Sequence, residues 1–345
     1  MSSSTITRVL LDNYVPSGRA KLSDFKIVQA PAPTKDQLGE NEVILRPLYY
    51  SVDPYQRNRI SGAMPGYTEN FKKGDPISNY LVGTIVASTS ADFQEGDLVL
   101  HNDGNWETEY ITKASAISKA PAQQGIDPKD YVGVLSMPSF TAYVGATILA
   151  EPKAGETILV SSASGAVGQM VVQLSKVRGL RVVGVAGSDD KVEYLKSIGA
   201  DAAFNYKTCG DFDAAIKQAA PEGIDIYFDN VGGEFLDAAL ANINYYARII
   251  ICGAITQYNL SSPEERYGVK NITNVLLKKA KVQGYIISSY YNTPIREGFI
   301  EQVSKLYHEG KITYRLTEAE GLENGVQAIL DLFDGKNFGK SIVKA

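Results

Sequence analysis

The sequence predicts an α/β protein, a doubly wound parallel sheet in the later part of the chain joined to a smaller β-rich part. Three observations carry this. From about residue 157, short apolar runs alternate with helical patterns. The first alternation crosses a patch of small residues, "SSASGAVG", between its strand and its helix. Residues 1 to about 125, by contrast, hold short strand-like runs broken by Pro, Gly and Asp clusters. A chain of 345 residues is long for one domain, and two are expected.

In chain order, "NEVILRPLYYSVD", "YLVGTIVAST" and "GDLVLHN" are rich in β-branched and aromatic residues. They are separated by turn-forming stretches such as "APAPTKDQLGEN" and "FKKGDPISN", the pattern of short strands in a β-rich domain. The later rhythm predicts strands near 157–162, 181–186, 201–204, 224–229, 247–252 and 282–287. Helices are expected between them near 166–178, 189–198, 211–219, 233–241 and 270–279. Such alternation builds a parallel sheet with right-handed crossovers. The end returns to a strand-like "KITYRL", a helix near 322–334 and a last strand "KSIVKA". The two parts should meet near 125–135, at "QQGIDPKDYVG".

Composition narrows the function. With 34 basic and 39 acidic residues the formal net charge is −5, and like charges form no run. An acidic chain without a basic stripe excludes nucleic acid and anionic membrane as expected partners. No window approaches the roughly 18 apolar residues of a membrane span. "MSSSTITRVLLDNY" has no secretory apolar core, so a cytoplasmic protein is expected. The two cysteines, Cys209 and Cys252, are far apart and form no C-x-x-C pair. With His101 and His308 they are the only Cys and His residues, too few and too scattered for a zinc site of three or four ligands.

The small-residue patch reads A-x-G-x-x-G: Ala163, Gly165, Gly168. The usual dinucleotide fingerprint has glycine first, but that position asks only for a small residue in a tight turn. Gly165 would let a pyrophosphate approach the backbone, and Gly168 would let the helix pack on the strand. The helix N-terminus would supply N–H groups and a positive dipole end. Strand-to-helix turns of small residues also occur without a ligand; the surrounding β-α-β pattern favours the cofactor reading. An NAD enzyme would carry Asp or Glu at the end of the second strand to bind the ribose 2′-hydroxyl. Here that strand ends Ala186-Gly187-Ser188, Lys191 follows one turn later, and Tyr206 lies after the third strand. A cation with nearby hydroxyls suits a 2′-phosphate, so NADPH is the expected cofactor. Asp189 and Asp190 are then ordinary acids at a helix start.

The stretches "SVDPYQRNR", "MPSFTAY", "SASGAVGQ", "FNYK", "GIDIYFDNVGG", "ICGAITQYN" and "GKNFGKSIVK" run in order from residue 51 to the C-terminus. Together they resemble the zinc-free medium-chain dehydrogenase/reductases, in the branch of prostaglandin reductase and alkenal double-bond reductases (leukotriene B4 dehydrogenase-like). The resemblance implies a Rossmann nucleotide domain, 129–311, inserted into a GroES-like catalytic domain, 1–128 and 312–345. It places Ser164, Gly165, Ala166, Val167 and Gly168 on the pyrophosphate. Gly187, Ser188, Lys191 and Tyr206 would surround the 2′-phosphate. Asn230 would lie beside the cofactor. Cys252, Gly253, Ala254, Ile255 and Tyr258 would line the nicotinamide side, with Tyr285, Ile286 and Ile287 at the next strand end. Asn337 would close over the cofactor from the tail. A homodimer is also implied. "LSMPSF" departs from the family pattern, with Ser136 and Ser139 where glycines are expected.

Without a metal, hydride transfer needs a hydrogen-bond donor at the oxygen that gains charge. A conjugated enone or enal suits this: hydride reaches the β-carbon, charge moves to the carbonyl oxygen, and a proton completes the α-carbon. A tyrosine hydroxyl stays protonated at neutral pH and can donate. The resemblance points to Tyr258 in "TQYN" as the main donor, with Tyr55 in "DPYQR" shaping the pocket or assisting. The pocket would also depend on "SGAMPGYTENF" and "SSYYNTP". Arg57 and Arg59 are expected in surface or interdomain ion pairs, and His101 and His308 at ordinary polar positions. Cys252 reads as a small apolar wall, and Asp225 and Asp229 as solvated strand ends rather than a catalytic pair. The expected activity is NADPH-dependent reduction of the C=C bond of α,β-unsaturated ketones and aldehydes. The rivals are an NADPH:quinone reductase on the same scaffold and a non-catalytic NADPH-binding protein.

Overall fold

The computed structural model describes residues 5–62, 68–121 and 125–345; residues 63–67 of the expected pocket loop lie outside these. The chain forms two compact units: residues 1–136, 316–337 and 341–345 make one, and 137–315 with 338–340 make the other.

In the first unit β1 (Thr5–Leu11) pairs antiparallel with β2 (Phe25–Pro31). Then come β3 (Glu42–Ser51), the short helix α1 (Gln56–Ile60), β4 (Ser78–Ser88), β5 (Leu98–Asn105), β6 (Tyr110–Lys113) and β7 (Ile117–Lys119), closed by α2 (Pro128–Val132). The strand-like runs at 41–53, 80–89 and 96–102 become β3, β4 and β5, the centre of this sheet. Arg57 and Arg59 are buried rather than at the surface, although Arg59 keeps an ion pair. Arg59 pairs with Asp103 at 2.7 Å and also donates to the Ser78 and Glu69 carbonyls. Arg57 donates to the Gly18 carbonyl at 2.7 Å. A planar guanidinium with five donors can satisfy itself on carbonyls inside a fold where a surface pair was expected.

The second unit begins with α3 (Met137–Tyr143) and continues through β8 (Thr157–Val160), α4 (Ala166–Val177), β9 (Arg181–Ala186), α5 (Asp189–Ser197), β10 (Ala202–Asn205) and α6 (Phe212–Ala219). It goes on to β11 (Ile224–Asp229), α7 (Gly233–Ala241), β12 (Ile243–Ile251), α8 (Thr273–Leu277), β13 (Lys281–Gly284) and α9 (Pro294–His308). The sheet order is β10-β9-β8-β11-β12-β13, parallel throughout. This is the doubly wound arrangement, and its order reverses between β8 and β11. Ligands of such sheets bind at the strand C-termini beside that reversal. β8 is fully buried, and α4 packs on the sheet through the buried stretch Gly168–Ser175.

The chain returns to the first unit with β14 (Leu316–Glu320), α10 (Gly325–Phe333) and β15 (Lys340–Lys344), giving the order β14-β15-β3-β4-β5-β7 with β6 also on β3. The expected strand over "KITYRL" is displaced: pairing starts only at Leu316. Two glutamines of α4 occupy the backbone upstream. Gln173 accepts from Thr313 N at 2.7 Å and donates to Thr313 O at 2.8 Å. Gln169 accepts from Arg315 N at 2.8 Å and donates to Arg315 O at 3.1 Å. A primary amide offers the donor and acceptor a neighbouring strand would, so Thr313 and Arg315 are satisfied without a ladder.

Candidate cofactor and substrate site

The turn after β8 explains how alanine stands where glycine is usual. The left-handed residue is Ser162, φ 48°. Ala163 follows, buried, with its N–H on the Val185 carbonyl at 2.8 Å. Gly165 caps α4 with no side-chain bond to the helix, so the first N–H groups, those of Ala166, Val167 and Gly168, are available to an anion. A Cβ at Gly165 would touch only Ser162, at 3.3 Å, whereas one at Gly168 would stand 2.4 Å from Ser162 O and 2.5 Å from Ala163 Cα. Gly168 therefore sets the closeness of helix to turn, and Gly165 leaves the cradle open. Ser164 accepts from Gly339 N at 3.1 Å, and Gly165 and Gly339 form a parallel bridge. The cradle fits a pyrophosphate.

At the end of β9, no carboxylate takes the place of the ribose-binding acid. Ser188 caps α5 and its hydroxyl donates to Asp190, while Asp189 accepts from Asn205 at 2.9 Å. Tyr206, 42% exposed, lies against Gly187, where a Cβ would come within 2.8 Å of its ring. The Ser188 hydroxyl holds Asp190 below the usual carboxylate range. Burial lowers the Lys191 ammonium, against the pull of Asp190 and with the push of Lys207. A half-buried cation on the helix that Ser188 caps suits a phosphate.

At the ends of β11 and β12 the polar groups converge. Asp229 is fully buried, not solvated as its strand-end position predicts. Burial raises its carboxyl, opposed by the Gly232 N–H and the Tyr227 hydroxyl. One oxygen accepts from Tyr227 at 2.7 Å and from Val231 N and Gly232 N at 2.9 Å; the other has no partner among the described residues. Asn230 ties β11 to β8 through Ser161, whose hydroxyl accepts at 2.9 Å and whose carbonyl accepts at 2.7 Å. Cys252 N and Gly253 N donate to the Asp229 carbonyl, and Ile255 N reaches Asn230 O at 3.4 Å. Burial pushes the Cys252 thiol up to about 12, with the Tyr285 hydroxyl beside it. A thiol that hard to ionise is a poor nucleophile. Tyr285 itself donates to Thr141 O at 2.7 Å. Ile286 is 39% exposed, and Ile287 opens a short 3-10 turn after β13.

The two tyrosines are wired in opposite senses. The hydroxyl of Tyr258, half-buried, accepts from the Ala254 backbone N–H at 3.3 Å, and no group among the described residues takes its own proton. Tyr55 precedes α1 in the other unit, and its hydroxyl donates to Asn79. That sense is forced. The Asn79 carbonyl oxygen already receives Tyr80 N at 2.8 Å, and its amide nitrogen donates to Ser51 O at 2.8 Å and to Asp53 at 3.0 Å. Asn79 sits in no motif, so only the buried network reveals it. Asn337 belongs to the same unit as Tyr55.

Among the described residues no three His, Cys, Asp or Glu side chains are grouped to hold a metal. His101 is buried on β5 with its Nδ1 2.8 Å from the Tyr110 hydroxyl. Residues 166–305 match the family model described as "Zinc-binding dehydrogenase", and 8–120 the one described as "N-terminal domain of oxidoreductase"; the side chains present do not fit the zinc of the first description. A "2-alkenal reductase (NADP(+)-dependent)" of Nicotiana tabacum is 42% identical over 337 residues, 97% of this chain and 96% of its own. "Prostaglandin reductase 1" of Bos taurus is 39% identical over 325 residues, 94% of each chain. The crystal structure of CurA in complex with NADPH from Vibrio vulnificus, 35% identical, superposes with a TM-score of 0.90 over 98% of this chain and 99% of that one. With both halves matched and relatives aligned over nearly their full lengths, the chain belongs to the medium-chain dehydrogenase/reductase family, in the branch of the alkenal double-bond and prostaglandin reductases.

Proposed function

We propose that the protein reduces the C=C bond of α,β-unsaturated aldehydes and ketones with NADPH, Tyr258 donating to the carbonyl oxygen. NADPH, when bound, supplies the hydride for the β-carbon. The chain's own part is to hold phosphate on the 164–168 cradle and beside Lys191, and to stabilise the oxygen that becomes negative as the enolate forms. The carrying observation is the polarity of the two hydroxyls. The backbone N–H of Ala254 occupies a lone pair of Tyr258 and leaves its proton for an acceptor. Burial raises its pKa, so it remains a donor at neutral pH. Tyr55 has given its proton to Asn79 and would meet a carbonyl oxygen lone pair to lone pair. Tyr55 and Asn337 stay in the site on resemblance alone, Tyr55 as a wall. Cys252 and Tyr285 support the floor beside the nicotinamide.

The test is oxidation of NADPH with an alkenal, a cyclic enone, a quinone and a saturated ketone. Turnover of the first two with a saturated carbonyl product is expected. Turnover of the quinone alone would favour the rival reductase, and binding without any turnover a non-catalytic protein.

We also propose a cytoplasmic homodimer. Cys209 and Cys252 are both free thiols, as in a reducing compartment, and no helix among the described residues is long and apolar enough to cross a membrane. β13 is the edge of the six-stranded sheet. Val282 on it is 45% exposed, and in the preceding α8 segment Ile272, Leu276 and Leu277 are 54%, 79% and 64% exposed. An apolar sheet edge of this kind is a template for a second strand.

A further inference from the structure

Arg315 is an exposed arginine on an unusually fixed backbone. Gln169 brackets its N–H and carbonyl, and Lys340 N adds a bond to the same carbonyl at 2.9 Å. The Tyr194 hydroxyl shares the Gln169 acceptor at 2.7 Å. Gly339, φ +79°, carries the chain past it; a Cβ there would stand 2.1 Å from Arg315 O. The same Gly339 donates to Ser164 in the phosphate cradle, so Arg315 is tied to that loop.

Its side chain is ordered too. The guanidinium carbon lies 3.6 Å from the centre of the Phe338 ring and 5.8 Å from that of Tyr194, and the two rings meet edge to face at 5.1 Å. Stacking holds a guanidinium flat and keeps its N–H edge for an in-plane acceptor. The ammonium of Lys191 lies 5.9 Å from the same Phe338 ring. Among the described residues no carboxylate pairs with Arg315. Lys191 already feels Asp190, whereas Arg315 brings its charge to the same ring without a carboxylate, and phosphate oxygens are the acceptors that a flat guanidinium matches best.

We propose that Arg315, held by Phe338, is a second cation for the adenosine 2′-phosphate and helps set the preference for NADPH over NADH. The inference rests on reading the 164–168 loop and Lys191 as an NADPH site, and it adds a residue from the segment that follows α9. NADP+ and NAD+ differ only in the phosphate concerned, so calorimetric binding of each to the full-length protein is the test, without catalysis. Arg315→Gln keeps a planar stacking group and removes the charge. It should weaken NADP+ about three- to tenfold, a modest loss because the site is open to solvent, and leave NAD+ within twofold. Arg315→Lys should fall between. Equal loss of both ligands would move Arg315 to the pyrophosphate, and no loss would make it a surface stack; either overturns the proposal. Lys191→Ala separates the failures. If wild type binds NADP+ and NAD+ alike, the NADPH reading itself fails. If Lys191→Ala abolishes the preference and Arg315→Gln does not, only this inference falls.

Discussion

A hydroxyl's usefulness depends on where its proton already is, and Tyr258 and Tyr55 differ in that. The resemblance ranked Tyr258 first without a physical reason, and the structure offers one: Ala254 N–H on one side and a buried Asp53–Asn79 relay on the other. Tyr258→Phe keeps the ring and removes the donor. Loss of one such donor costs about 2.7–4 kcal/mol in studied oxyanion holes; the lower end, roughly a hundredfold in kcat or somewhat less, is expected here because a cofactor ribose hydroxyl can share the bond. Tyr55→Phe should change kcat by less than about fivefold, as its proton is not available to the substrate. Single-turnover hydride transfer in both variants decides: a Tyr258→Phe rate within threefold of wild type, or a larger loss at Tyr55, would reverse the assignment. The pH profile has a definite sign. With the Tyr258 phenol raised above its ordinary value by burial, its donor is present throughout the neutral range and lost only as pH rises above the ordinary tyrosine value.

At the scale of elements, what could be read in the sequence were the strands whose neighbours are strands. The six parallel strands and the helices that follow the first four come from local periodicity, and the structure moves their ends by a few residues. "KITYRL" has the same alternation but no strand to pair with, since Gln169 and Gln173 of α4 take its backbone instead. Nothing in a single sequence distinguishes a partner strand from a helix that offers two amides. Asp229 failed for a related reason: its burial is set by Ser161 and by the 231–232 turn, from other parts of the unit. The glutamine pairing makes a stability prediction. Gln169→Leu leaves Arg315 N–H and the Tyr194 hydroxyl each short of a bond, and an unsatisfied buried polar group costs about 1–3 kcal/mol. A loss of roughly 2–4 kcal/mol by urea unfolding is therefore expected, with partial access of water to Arg315 keeping it below the full sum. A change under about 0.5 kcal/mol would show that these bonds exchange freely with water.

At the scale of the molecule, composition set expectations, no zinc site and no polyanion partner, and the order of motifs gave the family, but a surface patch has no motif. Ile272, Leu276, Leu277 and Val282 lie within eleven residues of chain and read as unremarkable helix and strand; only their exposure sets them apart. Lys278 and Lys279 nearby cover the exposed Tyr245 and Tyr246 at 4.8 and 5.6 Å, which limits the bare apolar area to the α8 and β13 side. An open edge strand with an exposed aliphatic side chain would invite irregular association; a second copy pairing edge to edge about a two-fold axis would close it. Leu276→Glu places a charge in that patch without touching the phosphate cradle or Tyr258. Sedimentation should show wild type at twice the chain mass and the variant largely as single chains at micromolar concentration. NADP+ affinity should stay within about twofold, because every residue proposed above to hold phosphate lies in one chain and away from the patch. A wild type that sediments as a single chain, or a variant that remains paired, would mean that this edge is covered in some other way.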